Sequence, residues 1–255
     1  MASTLGFDTT HDAFLGGRLT LEQPGKGYRA GVDPVLLAAA VPARTGDSVL
    51  ELGCGTGAAL LCLGARVVGL KLCGIEMQPA YADLCRTNAA TNAIRATIWT
   101  ADLREPPAAL RALSFDHVIA NPPYFDRTAG SQSGQPDRDI AFGGDTPMAD
   151  WIDAATRRLK PKGRLTLIQK ADRLRDVLAG MDSRLGSIVV HPITGRTGRD
   201  ADRVLITARK GGGAALRLAA PVVLHAGDTH LRDGEDYAPA IRAVLREGAA
   251  LPLGD

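Results

Sequence analysis

The stretch Ser48-Val49-Leu50-Glu51-Leu52-Gly53-Cys54-Gly55-Thr56-Gly57 restricts the fold more than any other part of the chain. Its first half is a short apolar run that reads as a buried strand, and Ala58 to Ala65 begins a helix. Three glycines at alternate positions make the turn between them, and glycine lets a backbone turn sharply and approach a ligand closely. Backbone N–H groups and the helix N-terminus then face whatever is bound there. The spacing is Gly-x-Gly-x-Gly, not the dinucleotide Gly-x-Gly-x-x-Gly, and no Lys-Ser/Thr follows as a phosphate loop requires. The turn therefore suits a ligand with a carboxylate and an amine rather than a diphosphate.

The strand–helix alternation continues downstream. Leu70 to Ile75 reads as a second strand that ends in Glu76, placed to accept two ribose hydroxyls, with Met77 beside it. A helix is expected from Pro79 to about Ala90. Ala96 to Trp99 is a third strand, after which Asp102 can accept from an adenine amino group while Leu103 packs on the ring. Phe115 to Ala120 is a fourth, and Asn121-Pro122-Pro123-Tyr124-Phe125 follows it. The two prolines fix φ and restrict the residue before each, so the chain leaves the strand in one rigid direction. Asn121 Oδ1 and the Pro122 carbonyl can each accept one hydrogen of an –NH2 group, and Tyr124 can lie flat on the ring that carries it. Stacking needs the ring alone, so Tyr124→Phe is expected to be nearly silent. A plain strand-to-loop turn explains Asn-Pro-Pro by itself; the ordered series of strand-end residues points instead to one site along one sheet edge.

Elsewhere the pattern is less specific. Residues 1–20 have little periodicity and are expected to form a loosely ordered start. Asp33-Pro34 reads as an N-cap with proline at the first helical position, leading into Val35–Ala40. The glycines at 25, 27 and 31 make a loop that either approaches a ligand or is simply a surface loop. Residues 126–145, rich in Gly, Ser, Asp and Gln and containing Arg138, read as a mobile loop beside the site. Thr146-Pro147 caps a helix with the apolar stripe Trp151, Ile152, Ala155 and Leu159, which Lys160-Pro161-Lys162-Gly163 ends. Arg164–Gln169 is a fifth strand, and 172–180 a helix. Ser187–Ile193 and Arg203–Arg209 form a final strand pair around an arginine-bearing loop. A C-terminal extension, 212–255, holds a strand-like run and a short helix. With no repeat and no linker, the 255 residues are expected to be one domain.

The 45% apolar content is ordinary for a soluble protein. No run approaches the ~18 apolar residues of a membrane span, and no basic-then-apolar leader is present. A cytoplasmic protein without a membrane partner is expected. Cys54, Cys62, Cys73 and Cys85 form no Cys-x-x-Cys pair and read as buried hydrophobes, so no metal is expected. Net charge is only +2, yet residues 157–217 carry 15 Lys/Arg against 5 Asp, which leaves the remainder acidic. That concentration is the footprint of a phosphate-backbone partner, although arginine-rich surfaces also follow from genome composition.

Across roughly residues 20–210 the chain resembles the class I S-adenosylmethionine-dependent methyltransferases. Asn121-Pro122-Pro123-Tyr124 resembles the tetrad of those that methylate adenine N6, cytosine N4 or glutamine N5. The chain is most similar to the bacterial tRNA1(Val) adenine-N6 methyltransferase family. Gly27-Tyr28-Arg29…Asp33 and Arg199…Arg203-Val204-Leu205…Arg209-Lys210-Gly211 extend the likeness to nearly its whole length. The resemblance implies a Rossmann-like α/β sheet of seven strands, mostly parallel, with an antiparallel final strand pair. It implies S-adenosyl-L-methionine as cofactor, held by Tyr28, Arg29, Asp33, Glu51, Gly53, Gly55, Gly57, Glu76, Met77, Asp102, Leu103 and Asn121. Asn121, Pro122, Pro123 and Tyr124 would be catalytic. RNA, tRNA in particular, would meet Phe125, Arg138, Arg196, Arg199, Arg203 and Lys210. The long Gly/Ser loop at 129–144 departs from the family. The rival substrate is a protein glutamine, since glutamine-N5 methyltransferases use the same tetrad; they resemble one another in an added N-terminal helical domain, and only 47 residues precede the first strand here. Oligomeric state is not legible in the sequence.

Overall fold

Short apolar strands separated by helices must run parallel, because each crossover returns the chain to the same end of the sheet. The computed structural model describes residues 8–27, 29–124, 146–227 and 236–253. Tyr28, Phe125, Arg138 and the 126–145 loop lie outside them. The main sheet contains β3 (Ser48–Leu52), β4 (Lys71–Glu76), β5 (Ala96–Thr100), β6 (Phe115–Ala120), β7 (Leu159–Lys170), β8 (Leu185–Thr194) and β9 (Ala201–Lys210). Their spatial order is β5-β4-β3-β6-β7-β9-β8. Five strands are parallel, while β9 runs antiparallel to both β7 and β8. The strand-like run of the C-terminal extension resolves into two short strands, β10 (Arg217–Leu218) and β11 (Val222–Val223), both paired with β8.

Helices cover both faces. On one side lie α1 (Val32–Ala40), α2 (Ala58–Arg66) and part of α3 (Pro79–Thr91), packed with Val49, Ile119, Ile168 and Leu205. On the other lie α4 (Ala108–Arg111), α5 (Met148–Arg158) and α6 (Leu174–Gly180), packed with Leu50, Val118, Ala120, Leu165, Leu167 and Ile206. Successive residues of one strand feed opposite cores, so a one-residue slip would exchange the two sets. Each fully buried Leu or Ile contributes about 1.5–3 kcal/mol. Cys54, Cys62 and Cys85 are buried in this packing, Cys73 is half-buried, and all four are free thiols.

Three expectations change. The loosely ordered start is instead, from Thr9, a hairpin of β1 (Thr9–Phe14) and β2 (Leu19–Pro24). Its strands alternate too few apolar residues to announce themselves, and side chains elsewhere complete it. Asn88 on α3 and Asn92, the C-cap one turn later, pair with the backbone of β2 as a neighbouring strand would. Asn88 Oδ1 accepts from Glu22 N at 2.7 Å and Asn88 Nδ2 donates to Glu22 O at 3.0 Å; Asn92 does the same to Thr20. Second, α5 does end just before Lys160-Pro161-Lys162-Gly163, at Arg158, but these four residues lie within β7, with Lys162 at φ +67° and a register shift against β6. Third, α1 starts two residues early, with Gly31 as N-cap and no side-chain cap, so Asp33 is free of the capping role.

Asn88 Nδ2 also donates to the carbonyl of Thr56 in the glycine turn at 2.9 Å. Asn88→Ala strands these buried backbone groups and is expected to cost about 1–3 kcal/mol. Thermal unfolding should show a melting point lower by several degrees; an unchanged one would mean that the asparagine pair does not hold the hairpin.

Candidate active site

Strand order reverses at β3, since β4 and β5 lie to one side of it and β6 and β7 to the other. Such a switch point opens a crevice at the carboxyl ends of the strands. Leu52 and Ala120 are paired across β3 and β6, so the Gly53 turn and Asn121 leave the sheet side by side.

The three glycines of the turn have separate reasons. Gly53, at φ +61°, would drive a Cβ to 2.5 Å from the Trp151 ring of α5. Gly57, at φ +89°, would place one 2.7 Å from Cys85 Sγ. Gly55, at φ +52°, faces open space, with no described atom within 4 Å of a Cβ. Packing thus excludes side chains at Gly53 and Gly57, whereas at Gly55 the chain leaves a cradle. Gly55 N donates to Glu76 Oε2 at 3.0 Å, and Gln78 N to Glu76 Oε1 at 2.8 Å. Glu76 is buried, and desolvation raises its pKa against the lowering effect of those backbone bonds. Each of its oxygens retains a lone pair for a ribose hydroxyl. Met77 is 46% exposed beside it, a large apolar side chain available to a ring. Asp102 is engaged by Arg104, which also holds its pKa down. These groups fit S-adenosylmethionine: an open backbone cradle, a carboxylate at the second strand end and an apolar flank.

Glu51 sits differently. It points into the core beneath α2, where its carboxylate accepts from Leu60 N at 2.8 Å, one of the amides a helix start leaves unsatisfied. Burial pushes its pKa well up. The folded chain therefore binds this proton more tightly than the unfolded chain, and stability falls as pH rises above the ordinary glutamate value. Glu51→Gln keeps an acceptor for Leu60 and removes the charge. The variant is expected to melt higher than the parent at pH 8, with the advantage lost at pH 4; an equal offset at both values would show that the charge is not the cause.

The tetrad stands at the end of β6. Asn121 Oδ1 is shielded from solvent, so gripping a substrate amine requires rotation of the amide about χ2, a soft torsion. Gln169 of β7 donates to the Pro122 carbonyl at 3.2 Å, leaving that oxygen a second lone pair. The sequence reading missed Gln169, and its signal was a fully buried polar residue closing an otherwise apolar strand. The Tyr124 hydroxyl has a partner: it donates to Asp33 Oδ2. Lys170 Nζ lies 5.8 Å from the centre of the same ring. Tyr124, Lys170, Asp33, Arg203 and Arg29 line a cleft of about 800 Å³. Arg29 is held by Asp12 of the hairpin at 2.6 Å.

Of the residues expected to meet RNA, Arg196, Arg199 and Arg203 lie at or near the β8–β9 connection and Lys210 at the other end of β9. Arg196 binds Asp236 and the Ala226 carbonyl, and Arg203 binds Asp33 and Asp202. Lys210 donates to the carbonyls of Thr156 and Leu159, both at 2.8 Å, and burial lowers its pKa. Of the four, Arg199 is the exposed one, in the β8–β9 connection.

Sheet order, glycine cradle and strand-end carboxylate define a class I methyltransferase. The chain belongs to the methyltransferase small domain family, whose model matches residues 30–190. The tRNA1(Val) (adenine(37)-N6)-methyltransferase of Porphyromonas gingivalis is 33% identical over 177 residues, 65% of this chain and 68% of that one. The protein of the same name from Dickeya chrysanthemi is 29% identical over 229 residues, 86% and 87% of the two chains. A predicted O-methyltransferase from Agrobacterium tumefaciens has a crystal structure with TM-score 0.67 at 27% identity, covering 85% of this chain and 97% of that one. The T. thermophilus 16S rRNA N2 G1207 methyltransferase, at TM-score 0.54 and 20% identity over 80% and 50% of the chains, shares the fold.

Proposed function

We propose that this protein is an S-adenosylmethionine-dependent methyltransferase that methylates N6 of an adenine in tRNA. The observation that carries this reading is the Asn121-Pro122-Pro123-Tyr124 tetrad leaving β6 beside the glycine cradle of β3. The names of the relatives support the same acceptor. The Agrobacterium tumefaciens neighbour is described as acting on oxygen. A hydroxyl has one hydrogen to give, whereas Asn121 and Pro122 offer two acceptors, which match an –NH2 group.

S-adenosylmethionine, when bound, supplies an electrophilic methyl group. Gly53, Gly55 and Gly57 hold its methionine end, Glu76 the ribose, and Met77, Asp102 and Leu103 the adenine. The amino nitrogen of the target adenine is a poor nucleophile because its lone pair is delocalised into the ring. Asn121 Oδ1 and the Pro122 carbonyl draw its two hydrogens toward a pyramidal arrangement and stabilise positive charge as it develops on nitrogen. Much of the rate then comes from holding that nitrogen in line. The proton leaves the nitrogen for solvent after transfer, so no general base is assigned. The base must be unstacked to enter, and stacking on Tyr124 offsets part of that cost. The basic 157–217 segment, including exposed Arg199, is the proposed tRNA surface, and a tRNA substrate places the protein in the cytoplasm. The whole chain is read as one domain serving this one site.

Nucleoside mass analysis of unmodified tRNA incubated with protein and S-adenosylmethionine should show N6-methyladenosine. Methyl transfer to a protein glutamine with none to tRNA would overturn the substrate.

A further inference from the structure

We propose, resting on the adenine reading above, that Asp33 and Arg203 are positioning residues for Tyr124: they lock the aromatic platform on which the base stacks. Three distant parts of the chain converge to make this lock. Tyr124 at the β6 exit donates to Asp33 Oδ2 from a position 91 residues away. Arg203 on β9, 170 residues from Asp33, donates to Asp33 Oδ1 at 2.5 Å. Its other nitrogen reaches Asp202 Oδ2 at 3.0 Å.

Asp33 does not cap α1, where Gly31 is the N-cap. Arg203 would have to release Asp33 to reach a phosphate with the same nitrogen, yet both side chains are mostly shielded, at 25% and 17% exposure. The alternation of charge also fits the role. The arginine holds the aspartate side chain in place, and a carboxylate acceptor makes a stronger bond to a phenol than a neutral oxygen does.

The physical effect is preorganisation. A tyrosine at the rim of a sheet samples rotamers, and a base stacking on a wandering ring must bear the entropy of ordering it. Anchoring the hydroxyl removes that loss before the base arrives. Lys170, 5.8 Å from the ring centre, leans over one face, which directs the base to the other. The lock corrects the expectation that only the ring of Tyr124 matters.

The test is a double-mutant cycle on methylation of a tRNA carrying one target adenosine. Tyr124→Phe and Asp33→Asn are each expected to raise KM for tRNA about tenfold, with kcat changing less, as for loss of a charge-assisted hydrogen bond. The double variant should be no worse than either single one, because Tyr124→Phe removes the same bond that Asp33→Asn strips of its charge. Calorimetric affinity for S-adenosylmethionine should stay within about twofold in all three. Multiplying effects in the double variant would overturn the lock, and a tenfold weaker cofactor affinity in Asp33→Asn would make Asp33 a cofactor residue instead. If Asp33→Asn does not fold, Arg203→Gln with Tyr124→Phe provides the same cycle. Absence of methylation by the parent protein would strike the adenine reading, which the cofactor titration keeps separate.

Discussion

Asn121→Ala is expected to lower the single-turnover rate of methylation by about 10²–10³-fold, the typical cost of one preorganised acceptor lost from a transition state. The amide acts where charge appears. Before reaction the adenine amino group is nearly neutral, and an acceptor gains little from it. As the nitrogen pyramidalises and becomes cationic, the same acceptor gains much, so the loss falls on kcat more than on binding. The surrounding geometry sharpens the expectation. Gln169 already donates to the Pro122 carbonyl, which fixes that oxygen but also draws on its electron density. The Asn121 oxygen, once turned outward about χ2, is the second acceptor. Asn121→Asp is a useful companion: it keeps both shape and an acceptor, and should retain more activity than alanine. Affinity for tRNA should change little, because Tyr124 and the basic segment are intact. A variant that methylates at the parental rate would reduce the tetrad to a turn, and adenine-N6 chemistry would lose its main support.

Most of the fold was legible because its signals are local. The apolar runs at 48–52, 70–76, 96–99 and 115–120 could only be buried strands, and the glycines between strand and helix needed no tertiary information. The position of Glu76 at a strand end followed from the same alternation. What stayed hidden was whatever depends on residues far apart in the chain. The hairpin at Thr9–Pro24 is polar at its edges and completed by Asn88 of α3 and its C-cap Asn92. The Asp33-Pro34 pair looked like a helix cap because that is its commonest local use, but a tyrosine 91 residues away claims the carboxylate. The partners of the basic segment were hidden in the same way. A count of arginines records charge and not partners, and Arg196, Arg203 and Lys210 are bound to the chain's own acceptors.

Glu76→Ala should weaken S-adenosylmethionine binding on the order of 10²–10⁴-fold, as each of two ribose hydroxyls loses a bond to a charged acceptor of ~1.5–3 kcal/mol. Glu76→Gln, which keeps one acceptor oxygen, should lose less. The parent protein supplies an independent check through pH. Burial raises the Glu76 pKa above the ordinary glutamate value, and the amides of Gln78, Gly55 and Met77 offset this only in part. Binding two hydroxyls requires the ionised form, so cofactor affinity should begin to fall while pH is still above the ordinary glutamate range. Folding moves the other way. A carboxyl that is more easily protonated in the folded chain makes that chain more stable as pH drops toward 4.5, and Glu51 acts in the same direction. Between neutral pH and the ordinary glutamate value, then, titration calorimetry should show affinity declining, while in thermal melts of the cofactor-free protein the gain from Glu76 and Glu51 is set against His117 and His191, whose burial lowers their pKa and favours the unfolded chain as pH falls. Loss of affinity that tracks loss of folded protein would mean that unfolding, not protonation of Glu76, is being measured. Affinity that stays flat through this range would remove Glu76 from the ribose.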